Sequence, residues 1–242
     1  LADNPHISEF YEEQLRKLDP VSRERLLHGN WEYDSGEDRL FDYESVLNVF
    51  TNSSVSTKDQ EKYLSCDVAL LGSDKLVICV WEGMVVKEII TKDKTSADNV
   101  EKLIRNTAQK HTIPQKNIII DSDGVGQYLS HYMKGVQPFV NNAKALSKEN
   151  YQNLKTQCYY KLAEQINMGN IWIKCNDTTM RNKIIEELEV IRRKNMDNDN
   201  KLAILSKKEM KSVLGHSPDF ADALMMRMRY LFKNNKSILA WR

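Results

Sequence analysis

The sequence lacks several of the features that would assign a protein class directly. No apolar run approaches the roughly 20 residues that a membrane-spanning helix needs. The cysteines are few, widely separated and without a CxxC pair, so neither a structural zinc site nor a disulfide scaffold is supported. They are Cys66, Cys79, Cys158 and Cys175. We therefore expect a protein of the reducing cytoplasm.

An excess of charge of either sign is also missing. Lys plus Arg number 35 and Asp plus Glu number 34, which gives a formal net charge of +1. This balance excludes a histone-like basic protein and an acidic solvating tail. It does not exclude nucleic-acid binding, because such binding needs a local basic surface and not a basic total.

Common catalytic motifs are absent as well. The sequence has no GxxxxGK[ST] phosphate loop, so we expect no ATP hydrolysis, and it has no GxSxG or HExxH motif. Gly124-Val125-Gly126 is too short for a dinucleotide fingerprint. There is no signal peptide and no initiating methionine, so we expect this sequence to be part of a longer chain.

What is present predicts one large α/β domain with an N-terminal extension. The 242 residues are 41% apolar, which is enough for a substantial core. Residues 1–60 combine short helical patterns with a polar stretch, and we predict a linker there. Residues 61–242 are predicted to form the domain.

The order of elements in residues 61–140 predicts a mixed sheet. Three strand-like runs at 63–71, 75–81 and 84–91 are joined by loops short enough to require antiparallel hairpins. A helix at 96–111, a buried strand at 117–120 and a further strand at 136–140 follow. This order predicts a sheet of five or more strands with helices on both faces. Residues 151–242 are predicted to be mainly helical, with a short strand at 201–205.

Three acids occupy positions where a carboxylate is unusual. Asp67 lies inside an apolar strand, Asp121 ends another strand at the edge where α/β sheets bind ligands, and Asp222 lies among apolar residues of the last helix. Carboxylates are the ligands that Mg²⁺ prefers, and two such ions can clamp a phosphodiester. The alternatives are a salt bridge for Asp67, a capping role for Asp121 and solvent exposure for Asp222.

Other polar residues near these acids are second-tier candidates. Asp74, Asp123 and Asp219 are additional acids that could reach a metal, although turn formation suits Asp74 and complementing the helix dipole suits Asp219. His216 precedes the last helix and could act as an outer-shell group or as a local hydrogen-bonding residue.

Basic residues cluster in the same part of the chain. They are Arg192, Arg193, Lys194, Lys207, Lys208 and Lys211. The cluster predicts either a solvated face or a groove that binds successive phosphates and leads to the metal site.

Five segments, in order over residues 20–232, resemble one known family. They are Leu26–Trp31 with its Leu-x-Gly-x-Trp pattern, Cys66–Ala69 with Gly72 and Asp74, Ile120–Gly126, Asn153–Ile171, and Ser217–Leu224 with its Ser-Pro-Asp-x-x-Asp-Ala-Leu pattern. Together they resemble the C-terminal nuclease domain of the large terminase subunit of tailed phages. The resemblance implies a ribonuclease H-like fold.

The resemblance also implies an activity. Such a domain would be an endonuclease that cuts concatemeric viral double-stranded DNA during packaging, using two Mg²⁺ or Mn²⁺ ions and a metal-activated water. Asp67, Asp121 and Asp222 match the family's catalytic, metal-binding acids. The implied partners are DNA, an ATPase domain of the same polypeptide, the portal and the small terminase subunit, with no membrane, in the host cytoplasm.

Two other functions compete with this interpretation. The first is a docking module of the packaging motor, with the same fold and a vestigial metal site. The second is another nuclease of the same fold, such as a recombination nuclease or an integrase, against which the Leu-x-Gly-x-Trp and Asp-Ala-Leu segments argue.

Overall fold

The computed structural model of the chain describes residues 38–68, 75–93, 96–123, 129, 132–194 and 200–232. The chain divides into two units, Leu1–Asp38 and Arg39–Arg242. The second unit thus begins before the predicted domain start at residue 61. The reason is apolar burial, because Leu40, Phe41 and Val46 lie in its core.

Strands of the second unit form a mixed sheet. They are Lys62–Asp67 (β1), Leu76–Glu82 (β2), Val85–Lys92 (β3), Ile118–Asp121 (β4), Gln137–Phe139 (β5) and Trp172–Ile173 (β6). Within the described residues the sheet has six strands, in the order β5-β4-β1-β2-β3-β6. The pairs β1–β2 and β2–β3 are antiparallel, whereas β1–β4, β4–β5 and β3–β6 are parallel. The predicted hairpins with a parallel continuation are confirmed.

The turn between β2 and β3 depends on a glycine. Gly83 has a φ of +61°, a conformation that side chains disfavour. A Cβ atom placed there would also lie 2.9 Å from Cγ of Gln60. The tight connection that pairs Glu82 with Val85 therefore requires glycine at this position.

Helices cover both faces of the sheet. They are Tyr43–Asn48 (α1), Ala97–His111 (α2), Leu154–Asn167 (α3), Thr178–Val190 (α4), Lys207–Leu214 (α5) and Asp219–Met226 (α6). Side chains alternate along each strand, so Leu76 and Ile78 of β2 pack with α2, while Val77 and Cys79 pack with the other helices. The predicted α/β class with helices on both faces is confirmed.

Local signals explain where three of the helices begin. Asn153 accepts a hydrogen bond from the Thr156 N–H at 2.8 Å, and Asp177 accepts one from the Met180 N–H at 3.1 Å. Ser206 and Glu209 form a reciprocal capping box at the start of α5.

Two short strands that follow the larger sheet in the chain form a second sheet. Arg193–Lys194 (β7) pairs antiparallel with Ala203–Ile204 (β8). Strand β8 lies inside the range 201–205, where a short strand was predicted. Within the described part of the chain, the helices are too short or too polar to cross a membrane.

The burial of α1 makes a prediction about the unit's boundary. Val46 is 0% exposed, so Val46→Ala should lower the free energy of unfolding by roughly 2 kcal/mol through lost burial and a residual cavity. Chemical denaturation of the 242-residue chain measures this change.

The neighbouring residue provides the control. Leu47 is 40% exposed, so Leu47→Ala should change stability by no more than about 0.5 kcal/mol. Equal effects of the two substitutions would contradict the packing of α1 into the core.

Candidate functional site

Asp67 and Asp121 end two neighbouring parallel strands. Cys66 of β1 pairs with Ile120 of β4, so the residues that follow them lie side by side. Both belong to the sheet face opposite α2, because Cys66 and Ile120 point to the α2 side. The strand pairing thus brings together the two acids that the sequence indicated.

A cleft of about 490 Å³ opens at this edge of the sheet. Four acids are among the residues that line it, namely Asp67, Asp121, Asp123 and Asp219. Amide and cationic side chains complete much of the polar wall, including Asn141, Asn142, Gln152, Asn153, Lys155, Lys194 and Lys207.

The acids in the cleft destabilise one another's charged forms. The pKa of Asp67 is raised well above its usual range, first by burial and then by the charges of Asp222, Asp121 and Asp219, with Lys155 opposing. Burial also raises the pKa of Asp121, although the N–H of Asp123 opposes that shift. The carboxylates of the cleft therefore repel one another in their charged forms, and a bound cation would relieve this repulsion.

Helix α6 delivers its two acids differently. Asp219 lines the cleft, and its Oδ2 accepts a hydrogen bond from the backbone N–H of Lys75 at 2.8 Å. Asp222 is 5% exposed and, among the described residues, is not part of the cleft lining. Lys155 Nζ lies 2.7 Å from its Oδ1 and 2.8 Å from its Oδ2. The hydroxyl of Tyr159 donates to Oδ1 at 2.5 Å.

Asn141 links two of the acids on the sheet side. Its Nδ2 donates to Asp121 Oδ1 at 3.1 Å and to Asp123 Oδ2 at 2.7 Å. The backbone N–H of Asp123 also donates to Asp121 Oδ1, at 3.0 Å. Asp121 and Asp123 are thus held together in the cleft lining.

The predicted basic residues divide into two groups. Lys194 and Lys207 line the cleft, and Lys194 also pairs with Glu209 at 2.7 Å. Within the described residues, Arg192, Arg193, Lys208 and Lys211 lie outside that lining.

His216 and Asp74 are the remaining candidates. His216 Nδ1 lies 2.7 Å from the Ser217 carbonyl and 3.8 Å from Glu187 Oε1, next to the start of α6. Asp74 falls outside the described residues.

Sequence reasoning missed four residues at or behind the site. These are Asn141, Lys155, Tyr159 and Glu187. A signal existed for three of them. Lys155 and Tyr159 are four residues apart and so share one face of α3. Glu187 follows Ile184 by three residues, which puts an acid on the apolar face of α4. Asn141 is placed by a loop, and no sequence periodicity predicts its position.

The donor chemistry of the cleft fits a hard divalent cation. Carboxylate and amide oxygens dominate, which are the ligands that Mg²⁺ and similar ions take. Within the described residues, however, no three Asp, Glu, His or Cys side chains already surround one point as metal ligands. Asp222 is engaged by Lys155 and Tyr159 instead.

Comparison with known proteins identifies the fold. Neither a protein-family model nor a curated protein matches the sequence. The nuclease domain of the large terminase subunit gp2 of bacterial virus Sf6, solved with manganese and β-thujaplicinol, matches with a TM-score of 0.68 at 21% identity. The match covers 78% of this chain and 98% of that one. The chain has the fold of phage large-terminase nuclease domains.

A second nuclease domain supports the same conclusion. The large terminase nuclease of thermophilic phage G20c with bound magnesium matches with a TM-score of 0.51 at 15% identity. The match covers 80% of this chain and 98% of that chain. The predicted ribonuclease H-like, terminase-type fold is confirmed by these matches.

The raised pKa of Asp67 predicts how stability depends on pH. In metal-free protein the folded state favours protonated Asp67, so unfolding releases a proton and stability falls as pH rises above the usual Asp range. Asp67→Asn removes this penalty and should stabilise the metal-free protein at pH 8 by about 0.5–2 kcal/mol. Chemical denaturation in EDTA measures the difference.

Repeating the denaturation of both proteins at lower pH provides the control. The advantage of Asp67→Asn should shrink as pH falls and wild-type Asp67 becomes protonated. A wild type that is more stable than Asp67→Asn at pH 8 without metal would contradict the electrostatic account of the cleft.

Proposed function

We propose that this chain is a metal-dependent endonuclease that cuts concatemeric viral double-stranded DNA during genome packaging. One observation carries the proposal: Asp67 and Asp121 lie side by side at the mouth of a cleft that Asp123 and Asp219 also line. Paired carboxylates at the carboxyl ends of parallel strands suit a metal-assisted hydrolase. The terminase-type fold supports the substrate and the setting.

The cofactor in this proposal is a pair of Mg²⁺ or Mn²⁺ ions. Asp67 and Asp121 would hold both ions, and Asp222 would complete the second site, with Asp219 and Asp123 as additional oxygen donors. When bound, the ions supply Lewis-acid activation of a water molecule and neutralise the charge of the scissile phosphodiester. The Sf6 nuclease domain was solved with manganese and the G20c nuclease with bound magnesium, which supports this choice.

The chain's own residues orient the acids and the DNA. Asn141 fixes Oδ1 of Asp121. Lys155 supplies positive charge at the cleft wall, 2.7 Å from Asp222. Lys194 and Lys207, which also line the cleft, would contact DNA phosphates.

The same proposal covers the protein's partners and setting. The segment before the nuclease unit would connect to an ATPase domain of the same polypeptide. The portal and the small terminase subunit would be its partners in the cytoplasm of the infected bacterium. This unit would contribute DNA cleavage and no ATP hydrolysis.

Cleavage of supercoiled plasmid tests the activity. The 242-residue chain should cut in Mn²⁺ or Mg²⁺ and not in EDTA. Asp121→Ala removes a ligand for both ions and should lower the rate at least about a hundredfold. Gel quantification of the nicked and linear products gives these rates.

A surface acid on the opposite side of the sheet is the control. Asp98 lies in the first turn of α2 and is exposed, so Asp98→Asn should retain wild-type cutting. Metal-dependent cutting that survives Asp121→Ala would reject the assignment of this site.

DNA binding by the basic side of the cleft is a separate prediction. The double variant Lys194→Ala/Lys207→Ala should weaken binding to a linear duplex and reduce the slope of log affinity against log salt by about two. Lys110→Ala, which removes an exposed lysine of α2, should leave both quantities unchanged. Fluorescence anisotropy over a salt series measures both quantities. Equal effects of the two variants would contradict DNA binding by Lys194 and Lys207.

A second candidate function is a docking module with a vestigial metal site. The observation in its favour is that Lys155 and Tyr159 already occupy the carboxylate of Asp222. Calorimetric titration with Mn²⁺ distinguishes the candidates, because a docking module should show no binding at millimolar concentrations.

A further inference from the structure

Helix α6 carries Asp219 and Asp222 but begins with a residue that cannot cap it. Pro218 stands at the N-cap position, and its side chain is a hydrocarbon ring that accepts no hydrogen bond. The first N–H groups of a helix have no carbonyl partner within the helix. Buried N–H groups at this end of α6 therefore need an acceptor from another element.

The acceptor is Glu187 of α4. Its Oε2 accepts a hydrogen bond from the Ala221 N–H at 2.9 Å, and the neighbouring Phe220 N–H also favours the charged form of this carboxyl group. Glu187 is 1% exposed. Among the described residues it is not part of the cleft lining, so it contacts the acid-bearing helix from behind.

Burying a third carboxyl group here costs free energy. Burial first, and then the charges of Asp219 and Asp222, raise the pKa of Glu187 to about 9, against the lowering effect of the two backbone N–H groups. An apolar side chain of similar size would avoid this cost. The hydrogen bonds to the start of α6 are the contacts that offset it.

The position of the contact along α6 determines what it controls. Ala221 lies between Asp219 and Asp222, and successive helical residues are rotated by about 100°. Holding the N–H of Ala221 therefore limits how the first turn can rotate or shift. The directions of both acid side chains depend on that rotation.

We propose that Glu187 is a positioning residue that holds the first turn of α6, so that Asp219 keeps its place in the cleft lining and Asp222 its place behind it. Glu187 holds these acids in the metal-free protein. That their positions serve metal binding rests on the proposed function. Glu187 acts through α6 and makes no contact with substrate in this scheme.

A distant backbone group reports the position of Asp219. The Lys75 N–H donates to Asp219 Oδ2 at 2.8 Å, although the two residues are far apart in sequence. If the first turn of α6 moves, this hydrogen bond is lost and the Lys75 amide exchanges faster with solvent. Amide exchange at Lys75 therefore detects displacement of Asp219 without any metal.

Two substitutions at Glu187 separate the effect of side-chain size from the effect of the hydrogen bond to α6. Glu187→Leu has a similar size but no acceptor, whereas Glu187→Gln keeps a carbonyl oxygen that can accept from Ala221. Val46→Ala serves as the control for general destabilisation, because Val46 is buried in α1. Hydrogen exchange is followed by NMR on the metal-free 242-residue chain.

The proposal expects a specific pattern of exchange. In Glu187→Leu the amides of Ala221 and Lys75 should exchange at least about tenfold faster, beyond the change that general destabilisation produces. Glu187→Gln should restore slow exchange at both amides. Val46→Ala should accelerate neither amide beyond its effect on other core amides.

Two outcomes of this experiment would overturn the proposal. Unchanged exchange at Ala221 in Glu187→Leu would show that Glu187 does not hold the helix. Faster exchange at Ala221 with unchanged exchange at Lys75 would show a cap that does not position Asp219.

Calorimetric titration with Mn²⁺ then links the result to the proposed function. Glu187→Leu should bind Mn²⁺ about 10–100-fold more weakly than wild type, with Glu187→Gln close to wild type. Equal affinities of wild type and Glu187→Leu would overturn the positioning role. Absence of Mn²⁺ binding by wild type would instead reject the proposed nuclease, and the exchange data would still decide the role of Glu187.

Discussion

Carboxylate groups that approach one another in a partly dehydrated cleft repel, and the fold has to hold them there against that repulsion. Asp67, Asp121 and Asp219 line one cleft, with Asp222 directly behind it. A flexible chain would separate these groups. Their closeness therefore depends on elements whose own stability comes from elsewhere, which here are a central strand pair and a buried helix.

The strand pair holds its acids through the backbone. The ladder between β1 and β4 runs through Leu64, Ser65 and Cys66, and apolar side chains of both strands are buried on the two faces of the sheet. Asp67 and Asp121 are simply the next residues along. Their spacing follows from parallel strand geometry, and substitution of either side chain leaves the ladder intact.

The same distinction explains what the sequence could predict. Asp67 and Asp121 were predictable because an acid within or at the end of an apolar strand is visible in a one-dimensional pattern. The α/β class followed in the same way from short hairpin loops and the apolar run Ile118–Ile120. The contacts of Asp222 with Lys155 and Tyr159 join residues more than 60 positions apart, and no periodicity encodes such a pairing. The burial of α1 was missed because a short helix in a polar stretch gives a weak pattern.

Helix α6 differs from the strands because its polar contacts are also its structural contacts. All eight of its residues are buried, including Asp219 and Asp222. Each buried polar group therefore needs a partner, and these partners include Lys75, Lys155, Tyr159 and Glu187. Removing one of these partners takes a hydrogen bond from a buried group and also weakens the hold on the first turn of α6 or on one of its acids. At β1 and β4 the backbone ladder holds the acids, so an acid can be replaced without loss of the fold. At α6 the same contacts stabilise the helix and position its acids, so a substitution there changes stability and site geometry together.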